Sequence, residues 1–375
     1  MRGRLGKAKP RSRRAPDLIL LFTVVILVAF GVLMVLSSSG YSARVRFDDS
    51  LHYFKRQAVW AVGGLLLMLF LQQRVDYWIY RRYARLCIVM AVVLLALSLI
   101  PGIGVEARGS QRSILVGPIS VSPAELVKLC LVIYLAHSFC RVPEKMRRFF
   151  VGVVPHLAVV ALVVGLVMLQ PDLGTAVTIA GTVFIMLYIA GAHPGHLFGL
   201  VVVGVPAVLA LILSEPYRRR RFFAFLNPWV DPLDSGFHII QSLYALGSGR
   251  VFGVGLGASH QKYLYLPEQH TDFIFAIVGE ELGLVGCIVV LGLFCVLAWR
   301  AFRVAACAPD SFAGLLAAGI AVMVLLQVVI NIGVVTSVLP VTGIPLPLIS
   351  YGGSSLLVTM GAMGILLNIS RYSRV

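Results

Sequence analysis

The sequence predicts an all-α integral membrane protein with ten transmembrane helices, forming a single domain over residues 1–375. Of the 375 residues, 59% are hydrophobic and only 13% are charged, and the mean hydropathy is +0.92. A soluble protein carries about twice that charged fraction. Ten apolar runs are the second observation. Basic residues at the ends of these runs are the third, because such residues orient membrane helices.

Each apolar run is a predicted helix, because crossing the hydrocarbon core takes roughly 20 residues. Strands of a membrane barrel would be about half that length and would alternate apolar and polar residues. The second and third runs are short, so flanking residues such as Gln57 and Gln73 are expected near the membrane surface. In chain order the runs are Leu18–Leu36, Ala58–Leu71, Leu86–Ile100, Val121–Phe139, Phe149–Leu169, Leu173–Ala190, Leu197–Leu213, Phe273–Trp299, Phe312–Leu339 and Leu348–Ile369.

Lys and Arg residues predict that both termini lie in the cytoplasm. With the N-terminus inside, 19 of the 32 Lys and Arg residues fall on the inner side and 12 on the outer side. Six of those 12 lie in one long loop, where the positive-inside rule is weak. The basic tail, residues 1–17, is followed by no A-x-A cleavage site, so we expect the first run to remain as a span. The net charge of +16 therefore indicates topology, not nucleic-acid binding.

The six cysteines all fall in predicted helices or on the inner side. No disulfide framework is therefore expected. The sequence has no CxxC pair and no recognisable zinc site, and any metal ligands are unknown at this stage.

The fourth and sixth predicted helices carry charged residues. Glu125 and Lys128, in VSPAELVKL, lie three residues apart on one helical face and can pair directly. Lys128 is the only cation predicted inside an apolar helix, and a structural polar network is at least as plausible a role as catalysis. Asp172, in LQPDLGTA, is placed to cap the sixth helix at its N-terminus.

A long outer loop, residues 214–271, joins the seventh and eighth helices. Its aromatic and aliphatic content predicts a packed element at the membrane surface, with a short amphipathic helix from about Phe237 to Leu246. Asp234 and Ser235 are predicted to cap this helix and Gly247 to end it.

The same loop contains four consecutive arginines, Arg218–Arg221. Guanidinium groups bind phosphate with two parallel hydrogen bonds, so Arg218 and Arg221 are candidates for a phosphorylated ligand. Anchoring to lipid headgroups is an equally good interpretation.

The eighth helix begins in LPEQHTDFIFAIVGEELG, where three carboxylates enter an apolar run. Thr271 is the predicted N-cap, which places Asp272 in the first turn, where the helix dipole favours an acid. Glu280 lies roughly 12 Å further along the axis, and Glu281 is on another face. A buried carboxylate needs a partner, and Lys128 is the basic residue predicted at membrane depth.

Before the last helix, LPVTGIPLPLISYGGSS is too rich in proline and glycine to form a regular helix. Irregular backbone at membrane depth is tolerated only where it is buried in protein or lines a cavity. An ordinary tight loop is the alternative. No P-loop, GxSxG or HExxH motif occurs, which argues against ATP-driven transport. The residues alone favour an amphipathic substrate with an anionic headgroup and leave the reaction open.

The motifs QPDLGTA, EPYR, NPWVDPLDSGFHIIQSLYALGSG, LPEQHTDFIFAIVGEELG and PLPLISYGGSS together resemble the SEDS family (shape, elongation, division and sporulation). The resemblance covers nearly the whole chain and is greatest to the FtsW/SpoVE branch. It implies the ten-helix SEDS fold and a peptidoglycan glycosyltransferase that polymerises lipid II at the outer face of the bacterial plasma membrane, for the division septum or the spore cortex. Partners implied are a class B penicillin-binding protein and other division or sporulation proteins.

The resemblance implies that Asp272 is the catalytic residue. It also maps substrate-binding roles onto the following residues: Glu125, Lys128, Asp172, Glu281, Ser350, Tyr351 and Ser354. One departure concerns the loop after the third helix, where Ser113 stands at the position of a usual tryptophan and Ser122 at that of a usual glutamine. The missing indole removes a stacking surface for a sugar or a partner.

Lipid II polymerisation makes chemical sense for these residues. A sugar hydroxyl is a poor nucleophile and benefits from a base, here Asp272. The pyrophosphate leaving group needs charge neutralisation, from arginine or a divalent cation such as Mg or Mn, and no organic cofactor is expected. The wide Asp272–Glu280 spacing predicts a single inverting displacement. A lipid II flippase and a non-catalytic scaffold for the penicillin-binding protein are the alternatives.

Overall fold

The computed structural model describes residues 14–100, 104–107, 110–116, 119–263 and 266–373. Most of the basic tail lies outside the described residues. A helix forms in each of the ten apolar runs, and two further helices form in the long loop. In chain order they are α1 (Leu18–Phe47), α2 (His52–Arg74), α3 (Tyr77–Leu97), α4 (Pro123–Phe139), α5 (Val154–Leu169), α6 (Leu173–Ile189), α7 (Pro194–Ser214), α8 (Pro216–Leu226), α9 (Phe237–Ser248), α10 (Ile274–Ala306), α11 (Ser311–Val335) and α12 (Gly353–Ser370).

Seven of the described helices are long and apolar enough to cross a bilayer. They are α1, α2, α5 with the π-helical turn Phe149–Val153 that precedes it, α7, α10, α11 and α12. The α4 and α6 helices have 17 residues each, and α3 carries three arginines. The chain is therefore a multi-pass membrane protein, and the count of ten spans stays a prediction.

The α11 helix lies at the centre of the bundle. It packs on α4, α6, α9, α10 and α12, which surround it on most sides. Its sequence is apolar around the whole circumference, as expected of a helix without a solvent face. Around it, the most extensive helix pairs are α2 with α12, α3 with α4, and α1 with α2 and α10.

Both described ends of the chain meet at one end of the bundle, here called the terminal face. The Arg14 amide donates to the Arg371 carbonyl at 3.0 Å, and the Asp17 amide donates to the Ser370 hydroxyl at 3.0 Å. Arg300, near the end of α10, forms a 2.7 Å ion pair with Asp17. These contacts join the start of α1 to the ends of α10 and α12.

At the opposite face, a small antiparallel sheet connects α3 to α4. Its strands are β1 (Gly104–Ala107), β2 (Ser110–Val116) and β3 (Ile119–Val121), in the order β1-β2-β3. Ser113, at the position of the usual tryptophan, lies in β2 opposite Val105 of β1. The sequence analysis did not predict this sheet, because its strands are too short to show a clear period-two pattern.

The long loop contains α8 and α9, and α9 begins at the predicted residue. The predicted caps are wrong. Gly236 occupies the N-cap position, and no side chain caps the helix. The Ser235 hydroxyl instead donates to the Asp231 carboxylate at 2.8 Å, and Asp234 contributes only its carbonyl, to the Phe237 amide. Gly247 lies inside the helix, since α9 continues past it.

The α10 helix is broken at Gly283, whose φ of 66° and ψ of −163° are open almost only to glycine. Residues 250–255 of the long loop, the insert segment, lie against this break. The amides of Val254 and Gly255 donate to the carbonyls of Glu280 and Glu281, at 2.9 and 3.1 Å.

In return, the amides of Leu284 and Val285 donate to the carbonyls of Arg250 and Val251, at 2.9 and 3.1 Å. In an unbroken helix those two amides would bond to residues 280 and 281. Four hydrogen bonds to the insert segment thus replace two within the helix. The two carbonyls and two amides that lose these helical bonds are thus all satisfied, as membrane depth demands.

Candidate functional site

Asp272 lies in a turn directly before α10, not inside the helix. The helix begins at Ile274, and no side chain caps it, so the predicted N-cap role of Thr271 is wrong. The Thr271 hydroxyl is instead hydrogen-bonded to Glu268, at 2.9 Å to its carboxylate and 3.2 Å to its carbonyl. Asp272 is therefore two residues outside the helix, and it is partly exposed at the face opposite the termini.

The irregular segment before α12, residues 340–352, holds the Asp272 turn in place; we call this segment the site turn. The Asn331 amide group of α11 donates to the Asp272 carbonyl and to the Ile344 carbonyl, both at 2.8 Å. The Ser350 hydroxyl donates to the Thr271 carbonyl at 2.6 Å. The main chain on either side of the Asp272 carboxylate is thus anchored to two other elements.

Gly343 of the site turn lies beside the Asp272 carboxylate. Its φ is 72°, and a Cβ there would lie 3.6 Å from Asp272 Oδ2. A left-handed conformation favours glycine, which explains why the turn can pass so close to the acid. Much of the segment is buried against the Asp272 turn, and the prediction that it lines a cavity stays a prediction.

The start of α2 supports the same site turn. Gln57 is buried, and its amide group donates to the Ser350 carbonyl at 3.2 Å and accepts from the Gly352 amide at 3.4 Å. The Tyr351 amide donates to the His270 carbonyl at 2.9 Å. Gln57 therefore lies within the protein, in contact with the site turn.

Aromatic rings cover one side of this arrangement. The ring centroids of Tyr53 and His270 lie 4.5 Å apart, and Tyr351 lies 5.1 Å from Tyr53 and 5.5 Å from His270. Tyr53 and His270 are buried and Tyr351 is half-buried, so the three rings pack together and stiffen the turn next to Asp272.

Glu125 and Lys128 form the predicted pair, with 2.9 Å between ammonium and carboxylate. Glu125 also accepts from Ser355 in the first turn of α12, at 3.3 Å. The pair therefore lies at the other end of the segment that holds Asp272. Ser354 is half-buried in the same turn, and the structure gives its side chain no hydrogen bond to a described residue.

Asp172 is the N-cap of α6, as predicted, and accepts from the Thr175 amide at 2.9 Å. The next turn of α6 packs against the site turn, since Gly174 is in contact with the backbone of Thr342. Asp172 thus borders the segment that also contacts Asp272.

Glu280 and Glu281 are fully enclosed, with 1% and 0% of their surfaces exposed. Their partners do not come from α4. The Glu280 carboxylate accepts from the Ser259 hydroxyl and, at 2.8 Å, from the His260 amide. Glu281 accepts from the Ser37 hydroxyl of α1 at 2.6 Å.

Glu281 also forms an ion pair with Lys262, with 3.5 Å between ammonium and carboxylate. Lys128 is therefore not the only cation buried among the helices. Lys262 belongs to the long loop, which enters the bundle beside the α10 break. Apolar runs predict only cations within helices, so they could not predict a buried cation from a loop. Among the described residues, Glu281 contacts no other predicted substrate residue, and its own substrate-binding role stays a prediction.

The four arginines lie on α8, which packs on α7. Arg218 donates to the Leu211 carbonyl at 3.1 Å, and the Arg221 guanidinium lies 4.4 Å from the centre of the Tyr217 ring. Arg219 and Arg220 are exposed. The structure shows no direct contact of these side chains with Asp272.

An indirect link does exist through α9. The His238 ring stacks on Phe273, the residue after Asp272, with centroids 5.9 Å apart. Burial lowers the pKa of His238, and the nearby positive charge of Arg221 lowers it further. Arg221 therefore lies on the same side of the molecule as the Asp272 turn.

Sequence reasoning missed the polar residues that position the site. Gln57, Asn331, Lys262 and Ser37 each make a buried hydrogen bond that fixes an acid or its turn. The available signal was a polar side chain inside an apolar run, as Asn331 is in α11. That signal identifies a buried polar group but not its partner.

The described residues contain no group of three or more His, Cys, Asp or Glu side chains that could hold a metal ion. Chemically, the site offers a partly exposed acid on a fixed turn, packed aromatic rings beside it, and guanidinium groups on the same side.

Known proteins resemble the chain over nearly its full length. The family model FTSW_RODA_SPOVE, described as cell cycle protein, matches residues 17–375. Stage V sporulation protein E of Bacillus subtilis is 47% identical over 97% of this chain and 99% of its own. The probable peptidoglycan glycosyltransferase FtsW of Geobacter metallireducens is 44% identical over 94% of each.

One solved structure supports the fold. It is a chain from work on the structural coordination of polymerization and crosslinking by a peptidoglycan synthase complex. It is 32% identical, with a TM-score of 0.77 over 95% of this chain and 98% of that one.

Proposed function

The chain belongs to the FtsW/RodA/SpoVE family of cell cycle proteins, and from that premise we propose that it is a peptidoglycan glycosyltransferase that polymerises lipid II. The relatives named as probable peptidoglycan glycosyltransferases support the activity. The observation that carries the proposal is the partly exposed Asp272 carboxylate on a turn anchored by α11 and the site turn.

We place the terminal face in the cytoplasm and Asp272 at the outer face of the plasma membrane. The excess of basic residues at the terminal face supports this orientation. Lipid II presents its sugars and pyrophosphate at the outer surface, where the Asp272 turn and the α8 arginines would meet them.

In the proposed reaction, Asp272 is the general base. A hydroxyl of the acceptor sugar attacks the anomeric carbon of the donor, and its proton passes to the Asp272 carboxylate. The bond from the anomeric carbon to the lipid pyrophosphate breaks, and configuration inverts in this single displacement. A second acid is unnecessary, because pyrophosphate leaves as a weakly basic anion. Glu280 is hydrogen-bonded and enclosed, so it does not take that role.

The pyrophosphate charge requires cationic partners. We assign this role to Arg218 and Arg221, whose guanidinium groups suit phosphate oxygens. Mg²⁺ usually binds through one or two carboxylates together with substrate phosphates. An Mg or Mn ion that the reaction requires would therefore bind together with the pyrophosphate of the substrate. Loss of polymerisation in EDTA, restored by Mg²⁺, is the expected sign of such a requirement. Glu125, Lys128, Asp172, Glu281, Ser350, Tyr351 and Ser354 remain proposed substrate contacts.

The test is polymerisation of lipid II by purified protein carrying Asp272→Asn. We expect at least about a hundredfold loss of rate, in line with removal of a general base. Glu215→Gln is the matched control, because Glu215 is an exposed acid in the same long loop that no side-chain contact engages. Undiminished polymerisation by Asp272→Asn would refute the assignment. Lipid II translocation into vesicles without polymer would instead favour a flippase, and binding without either activity a scaffold.

We further propose a class B penicillin-binding protein as the partner, at the division or sporulation septum. A chain from a peptidoglycan synthase complex has the same fold, which supports an assembly of this kind. Co-purification with such a transpeptidase is expected to raise the polymerisation rate. An identical rate with and without the partner would contradict this expectation.

A further inference from the structure

A cationic cavity lies at the terminal face, between the start of α3 and the end of α4. Its volume is about 450 Å³, within the roughly 300–1,000 Å³ typical of ligand sites. Its lining residues are Trp78, Arg81, Arg82, Arg85, His137 and Arg141. The cavity is far from the Asp272 site along the chain and lies at the other end of the bundle.

Four guanidinium groups and no carboxylate line this cavity. Within the described part of the chain, none of the four arginines forms an ion pair. The positive-inside rule explains why basic residues occur on this face. It does not explain why these four surround one cavity, whereas Arg147 and Arg148 lie exposed on the same face outside it.

His137 is the second, independent observation. It lines the cavity, only 7% of its surface is exposed, and its Nδ1 atom has no hydrogen-bond partner among the described residues. Buried polar atoms in folded proteins nearly always have a partner, so an orphan at a cavity wall points to a ligand. A ring nitrogen among guanidinium groups suits the oxygen of an anion.

We propose that this cavity binds the phosphate of an anionic phospholipid headgroup from the adjacent leaflet. The Arg81 and Arg85 guanidinium groups bind the phosphate oxygens in pairs of hydrogen bonds, and the His137 ring donates a further one. Trp78 is 40% exposed beside them, as is usual for an indole at the headgroup level of a membrane. The cavity opens at the ends of two membrane helices, where headgroups are the most abundant source of phosphate.

The headgroup would act as a bridge between α3 and α4. Arg81 and Arg85 lie on α3, and His137 and Arg141 lie on or just beyond α4. Without an anion, the like charges of the two helices face each other across the cavity. Binding would therefore hold α3, which precedes the small sheet, against α4, which follows it.

Native mass spectrometry of the purified full-length protein tests the proposal, with phosphatidylglycerol, phosphatidylcholine and inorganic phosphate as separate probes. We expect retention of phosphatidylglycerol by the wild type, and about tenfold weaker retention by Arg81→Gln/Arg85→Gln and by His137→Phe. Arg147→Gln/Arg148→Gln is the matched control, which removes the same charge from the same face and should retain lipid normally.

Arg81→Lys/Arg85→Lys guards against misfolding of the neutral variant. It keeps the charge but loses the paired hydrogen bonds. Its retention of phosphatidylglycerol should therefore fall between that of the wild type and that of Arg81→Gln/Arg85→Gln. Equal loss in the cavity and control variants would overturn the proposal, because only surface charge would then matter. Binding of inorganic phosphate without retention of phosphatidylglycerol would overturn the assignment to lipid.

Discussion

The main chain around Asp272 is fixed by contacts with three other elements. Asn331 binds the Asp272 carbonyl, Ser350 binds the carbonyl before it, and Phe273 stacks on His238. The carboxylate itself remains partly exposed while its backbone has little freedom. In the proposed reaction, an acid held in this way would meet the sugar hydroxyl without first becoming ordered.

The buried His238 ring packs beside this turn, and its titration is the first testable consequence. Burial, aided by Arg221, lowers its folded pKa, while in the unfolded chain it titrates near the usual value of about 6.5. Below that pH the unfolded chain binds a proton that the folded protein binds only at lower pH. Stability should therefore fall as the pH drops below about 6.5. The fall ends once the folded pKa is passed.

His238→Phe keeps an aromatic ring against Phe273 and removes the titrating group. Its melting temperature should depend less on pH between about 6.5 and 5 than that of the wild type. Equal pH dependence of the two proteins would contradict a role for His238.

At the residue level, local contacts of the acids could be predicted from the sequence, and distant ones could not. The Glu125–Lys128 pair and the Asp172 cap are local, three residues apart, so helix geometry alone determines them. The partners of Glu281 are 244 and 19 residues away, at Ser37 and Lys262. No spacing rule connects such positions, because only the fold brings them together.

Among the elements, α10 differs most from its predicted form. Its apolar run predicts one continuous span, and the helix is instead interrupted at Gly283 with the insert segment beside it. The glycines of this loop look like ordinary turn residues in the sequence. Helices driven by long apolar runs could be predicted, whereas a helix break satisfied by a distant loop could not.

Gly283→Ala tests the break. A Cβ would overlap the backbone of Val251 and Gly253, and the conformation itself costs a non-glycine residue about 1–3 kcal/mol. We expect a lower melting temperature and a long loop that is cleaved faster by protease.

Gly292→Ala is the control, because it lies in the same helix and a Cβ there meets nothing within 4 Å. Alanine should be neutral or slightly stabilising at that position. A Gly283→Ala protein as stable as the Gly292→Ala protein would show that the break is not required.

On the scale of the whole molecule, a buried ion pair joins two of the elements that meet at the terminal face. The Asp17–Arg300 ion pair joins the first described residues to the end of α10, and both side chains are almost fully buried. The membrane class and the helix order were predictable from composition and apolar runs. The Asp17–Arg300 ion pair was not predictable, because it joins residues 283 positions apart.

Arg300→Leu should destabilise the protein by about 3–5 kcal/mol, since it leaves the Asp17 carboxylate buried without its partner. Asp17→Asn/Arg300→Leu should recover much of that loss, because no lone charge remains. Thermal unfolding in detergent measures both. Lys55→Ala, which breaks an exposed pair with Asp49, is the control and should change little. A double variant no more stable than Arg300→Leu alone would contradict the explanation.

The interlocking of the insert segment with α10 makes one prediction about motion. The amides of Leu284 and Val285, deep in a membrane helix, are protected from deuterium exchange by a loop and not by their own helix. Their exchange should therefore keep pace with that of Val254 and Gly255, as a single cooperative opening unit. Deuterium uptake at Leu284 and Val285 would therefore report whether the insert segment is docked against α10.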